Sequence, residues 1–167
     1  MAGRQDPAGR EGAGALNGDA GTGKPHPDGG TALVVHDLDQ ARAALMAARD
    51  LDTPVLILTA PGAAMAGGPL YLKLLLERAA SDVAGARWSA LIDCGDRAGD
   101  VFAALDAGWT RLAFAGTPEA GARLAEIVAG RGARLEPLPV PRLDLGGVAD
   151  PAAASREWLR GARVAGP

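Results

Sequence analysis

Two residues able to do chemistry stand side by side at the end of one short apolar run: Asp93 and the single cysteine, Cys94, in Trp88-Ser-Ala-Leu-Ile-Asp-Cys-Gly-Asp96. A carboxylate at the carboxyl end of a strand can act as a general base on a carbonyl substrate, or it can tie down the turn that follows. A cysteine beside it is a nucleophile only where it is exposed and its thiolate favoured; buried, it is a small hydrophobe. His36 ends an earlier apolar run next to Asp37, so it could join Asp93 across the mouth of a sheet or hydrogen-bond within its own loop. Gly62, Gly67 and Gly68 in a small-residue loop, with Gly95, Gly116 and Thr117 in later turns, offer backbone N–H groups to an anion or serve as plain turns. A catalytic zinc needs about three protein ligands. Apart from Cys94 the strong candidates are His36 and His26, so no metal and no cofactor is expected.

These residues need elements to hold them. From Thr31 onward short β-branched runs alternate with longer amphipathic ones, the pattern of βα units building a parallel sheet. The runs predict strands over Thr31–His36, Pro54–Thr59, Trp88–Asp93, Arg111–Ala115 and Arg134–Leu138. Asp37 with Gln40 starts the first helix, whose inner stripe is Leu38, Ala41, Leu45 and Ala48. A leucine-rich helix is expected over Pro69–Ala84, and another over Arg97–Ala107 with Val101, Phe102 and Leu105 inward. Thr117 and Pro118 open a further helix reaching Ala129. Pro137, Pro139 and Pro141 make the fifth strand an edge, because proline cannot donate to a ladder. The last helix is expected over Asp150–Arg160, docked by Trp158 and Leu159.

Composition narrows the partners. A net charge of -3 gives no basic field, and one Tyr, two Phe and three Trp provide no stacking platform, so nucleic acid is not expected. No apolar run approaches the ~18 residues of a membrane helix, and the amino terminus has no signal-peptide core. A lone cysteine cannot form an internal disulfide, and the reading is a cytoplasmic protein. Residues 1–30 lack apolar periodicity and are expected to be a disordered tail, as is the end, 161–167, around a single α/β domain at 31–160. Within the tail, Gly18-Asp-Ala-Gly-Thr-Gly-Lys24 has the spacing of a phosphate loop, but no strand precedes it and Pro25 replaces the Mg-binding hydroxyl.

Residues 31 to 139 resemble the first half of the class II fructose-bisphosphate aldolase family. Thr53-Pro-Val-Leu-Ile-Leu-Thr-Ala-Pro-Gly-Ala-Ala-Met-Ala-Gly-Gly68 looks like its second strand and glycine loop. Ala90-Leu-Ile-Asp-Cys-Gly-Asp96 is similar to its LHLDHGD signature, and Ala104-Leu-Asp-Ala-Gly-Trp-Thr-Arg-Leu-Ala-Phe-Ala-Gly-Thr117 to its AIxxGFTSVMiDGS segment. The resemblance implies that Asp93 matches the proton-transferring aspartate. The histidine positions of the signature hold Leu91 and Cys94, the loop serine is Ala60, and the fourth-strand aspartate is Ala115. Glu136 is similar to an acidic position on the fifth strand.

The fold expected is therefore α/β, a parallel sheet of about five βα units, partial TIM-barrel-like, with a flavodoxin-like doubly wound sheet as alternative. The function expected is a degenerate, metal-free aldolase-like module that binds a small phosphorylated or carbonyl ligand or a protein. The open face of its sheet is expected to be covered by a homo-oligomer, a protein partner or the last helix. A small lyase or isomerase using Asp93 as base is the second reading. A receiver-like signalling domain lacking its strand-five lysine is the third.

Overall fold

The computed structural model describes residues 31–164, without the side chains of 162–164, so the expected tail and its glycine-rich Gly18–Lys24 stretch lie outside the described residues, as do 165–167. The elements run β1 (Ala32–Val35), α1 (Leu38–Asp50), β2 (Val55–Thr59), α2 (Ala63–Gly67), α3 (Pro69–Asp82), β3 (Trp88–Asp93), α4 (Ala98–Asp106), β4 (Arg111–Ala113), α5 (Pro118–Gly130), β5 (Arg134–Leu135), β6 (Arg142–Asp144) and α6 (Pro151–Val164). The strands form one six-stranded sheet in the order β5-β4-β3-β2-β1-β6, every neighbouring pair parallel. This is an α/β fold with an open parallel sheet, and its order differs from the 2-1-3-4-5 of a flavodoxin-like layer.

Side-chain alternation separates two cores. Leu33, Val35, Val55, Ile57, Trp88, Ala90, Ile92 and Leu112 pack with Leu45 of α1, Leu76 of α3, Val101 of α4, Val128 of α5 and Leu159 of α6. On the other face Ala32, Val34, Leu56, Leu58, Leu91 and Ala113 form a smaller core with Ala60, joined by Ala63 and Leu138. Five helices thus share one face of the sheet.

The covering of the second face corrects an expectation. α6 packs on α1 on the helix side, and it runs past Arg160 to Val164. Instead the chain's own link between β5 and β6 supplies Leu138, and Ala32, Val34, Leu56, Leu58, Ala60, Leu91 and Ala113 are at most 9% exposed beneath it. That link also bends the sheet. β5 and β6 lie on opposite edges, about 24 Å apart in a flat sheet at strand spacing. The step from Leu135 to Arg142 can span about 25 Å fully extended, and it must also return along the strand direction before entering β6. The two edges must therefore curl toward each other on the side that holds Leu138. Replacing Leu138 with Ser is expected to lower unfolding stability by about 1–2 kcal/mol in urea titration.

Other differences are local. The sixth strand was not expected; it is three residues long and reaches the sheet through β1 rather than through its chain neighbour β5. The fifth strand lies at an edge as expected but stops at Leu135, so the prolines fall in the link that follows it. Phe102 is 39% exposed rather than inward, because Val101, Ala104 and Leu105 take the buried stripe of α4 and a residue one step from Val101 is turned about 100° away. The small-residue loop contains the short helix α2. Asp37 caps α1 by accepting the Gln40 N–H at 2.8 Å, while the Gln40 side chain reaches back to the His36 N–H at 2.9 Å.

Candidate functional site

In a parallel sheet all strands point their carboxyl ends the same way, and the turns leaving them share one rim where α/β proteins present their ligands. Here that rim gathers His36, Ala60–Gly62, Asp93–Gly95, Ala115–Thr117 and Asp144–Gly147, the turns after β1, β2, β3, β4 and β6.

Asp93 ends β3 and is 6% exposed. Its N–H donates to Thr59 Oγ1 on β2 at 3.0 Å, and its Oδ1 accepts the Gly95 N–H at 2.8 Å. Gly95 turns with φ +55°, a conformation that disfavours a side chain, so the acidic turn of the sequence is an Asx turn closed by the carboxylate itself. The Cys94 N–H donates to the Ala113 carbonyl and the Ala115 N–H to the Gly95 carbonyl, which extends the β3–β4 ladder into the rim. Oδ2 of Asp93 has no hydrogen-bond partner among the described residues.

Cys94 points the other way. It is 2% exposed, packed in the helix-side core. Burial first, then the carboxylates of Asp100 and Asp93, push its thiol up to about 12. At neutral pH it is a protonated packing group, neither nucleophile nor thiolate ligand.

His36 does not hydrogen-bond to Asp93, which lies two strands away, about 10 Å at ordinary strand spacing. Its Nε2 stands 2.6 Å from Asp144 Oδ1, at the end of the neighbouring strand β6. Asp144 Oδ1 also accepts the Gly146 N–H at 2.7 Å. That backbone bond, and then the His36 ring, hold the Asp144 carboxyl below its ordinary range against the opposing effect of desolvation. A Cβ at Gly146 would lie 2.7 Å from His36 Nε2 and 3.0 Å from Asp144 Oδ1, so the pair closes over bare backbone. Sequence reasoning placed His36 at the rim but missed Asp144, which lies 108 residues away and on a strand too short to announce itself.

The glycine candidates divide. Gly62 and Gly68 flank α2 with positive φ, and Gly67 lies under the Tyr71 ring. Gly116 faces the Phe114 ring, where a Cβ would collide. The Thr117 hydroxyl accepts the Ala120 N–H at 3.3 Å as the cap of α5, so its oxygen is already in use. Glu136 holds Arg111 through paired bonds, Nε to Oε1 at 2.8 Å and Nη2 to Oε2 at 2.6 Å, and Arg111 also donates to Ser89 Oγ at 3.0 Å. Among the described residues no group of three His, Cys, Asp or Glu is placed to hold a metal ion.

Compared with known proteins, the chain matches no family model and no curated protein. No helix among the described residues is long and apolar enough to cross a membrane.

Proposed function

We propose that the chain is an aldolase-like module whose curled parallel sheet is a partial TIM-barrel-like layer, and that it binds a small carbonyl or hydroxylated ligand at the carboxyl rim without fructose-bisphosphate aldolase chemistry. The observation that carries this reading is the winding: β1 to β5 lie side by side in chain order with the helices of every crossover on one face. Right-handed crossovers repeated in one direction produce that arrangement, and ligands of such sheets meet the strand ends. Asp93 is then the strand-end carboxylate the resemblance matches to a proton-transferring residue, with Oδ2 left for a ligand.

The chemistry of aldol cleavage needs an electrophile to stabilise an enediolate, and a metal held by three side chains supplies one in the family resembled. At the matching positions this chain has Leu91, facing the inner core, and Cys94, a protonated thiol on the helix side. Neither can take that part.

Two measurements test the proposal. In a thermal-shift panel of sugar phosphates and small aldehydes, at least one carbonyl compound is expected to raise the midpoint, and Asp93→Asn to abolish the shift. Fructose-bisphosphate cleavage in the presence of added zinc is expected to stay at the uncatalysed rate. Cleavage lost in Asp93→Asn, or stoichiometric zinc lost in Cys94→Ser, would overturn the reading.

A further inference from the structure

We infer that His36 and Asp144 form a proton-accepting dyad at the rim, with His36 Nδ1 as the accepting atom, and that it receives a neutral hydroxyl-bearing ligand rather than a phosphorylated one. The inference rests on the rim being a ligand site and names the ligand class of that site.

Three features make the pair more than a chance surface contact. Both partners are fixed from behind: Asp144 by the Gly146 N–H, His36 by the bond of its own backbone N–H to Gln40. Gly146 leaves open the space its Cβ would take beside Nε2. Val34 lies opposite Asp144, so His36, two residues on, projects from the same face as Asp144 and meets it diagonally. With the carboxylate at Nε2, the neutral ring carries its proton on that nitrogen, and the lone pair falls on Nδ1. Nδ1 has no partner among the described residues, and the His36 side chain is 38% exposed. A ring held in this tautomer is built to accept a proton or a hydrogen bond from an O–H group.

Charge decides the ligand class. The turns and strand ends of the rim carry Asp37, Asp93, Asp96, Asp144 and Asp150. Asp37 and Asp150 cap α1 and α6; Asp144 has His36 and the charge of Arg142 nearby, while Asp93 and Asp96 form no ion pair among the described residues. The basic side chain of these turns among the described residues, Arg97, is paired with Asp100 at 3.3 Å. A phosphate dianion would meet repulsion here that an uncharged hydroxy-carbonyl compound escapes.

The test is imidazole nitrogen NMR on the full chain at about pH 8, above the ordinary histidine range. The chain has two histidines, so His36→Gln identifies the His36 signals. The free protein is expected to show one neutral tautomer, protonated at Nε2. Dihydroxyacetone is expected to shift the Nδ1 signal saturably, and dihydroxyacetone phosphate to bind at least about tenfold more weakly. Asp144→Ala, which removes the acceptor at Nε2, is expected to release the tautomer preference and abolish the ring response. A ring protonated at Nδ1, or tighter binding of the phosphorylated probe, overturns the inference. If dihydroxyacetone perturbs the amides of Gly95 and Thr117 but not the His36 ring, and Asp144→Ala changes nothing, the dyad falls while the rim site stands. If neither probe perturbs any rim amide, both fall.

Discussion

Arg111→Met is expected to lower the unfolding free energy by about 2–3 kcal/mol, less than the ~3–5 kcal/mol of a fully stranded buried charge, because Arg134 Nε stays 3.3 Å from Glu136 Oε1. Arg111 opens β4 with its side chain 7% exposed, and its Glu136 partner is 19% exposed. The geometry is the favourable one for a guanidinium, two parallel bonds to one carboxylate and a third bond to a hydroxyl. Removing Arg111 leaves the largely buried Glu136 with only the exposed Arg134 at 3.3 Å, and takes from Ser89 Oγ its Arg111 donor. The carboxylate then draws its segment toward water, and that segment carries Leu138, which packs on the inner core. Urea titration measures the loss. The double variant Arg111→Met with Glu136→Leu is expected to recover most of it, since apolar replacements of matched volume commonly equal a buried pair. A single-variant loss under about 1 kcal/mol would mean that the pair is solvated like an ordinary surface bridge.

That pair also shows what could be read from the sequence and what could not. Asp37, Thr117 and Pro118 announce helix starts because capping is local, settled within four residues, and α1 and α5 begin where those residues say. β3 is found because six consecutive residues are buried on both faces and read as one apolar run. β6 carries no such run: its three residues alternate exposed and half-buried, and it is a strand only because β1 offers an edge. Two side-chain contacts join distant segments, Arg111 with Glu136 and His36 with Asp144. Spacing along the chain cannot place such partners, whereas Asp93 and Gly95, two residues apart, form their bond within a turn whose composition already suggested it.

Cys94 supplies the second large effect, on the alkaline side. Its thiol would ionise near 9.0 in the unfolded chain but is held up to about 12 in the native protein, first by burial and then by Asp100 and Asp93. Between those two values the native state keeps a proton that the unfolded state has lost. Stability contributed by the buried thiol is thus complete below pH 9.0 and is lost as pH rises toward about 12. The loss is at most about 1.4 kcal/mol per pH unit. Cys94→Ala removes this dependence, so urea titrations at increasing pH should show the variant gaining on the parent protein throughout that window. Other groups that titrate there act on both proteins and drop out of the difference. A stability difference that stays constant with pH would mean that the native thiol ionises as freely as the unfolded one. In that case a thiolate beside Asp93 would return to the rim as a nucleophile or ligand, and the division of labour proposed here, with proton transfer left to carboxylate and imidazole, would fail with it.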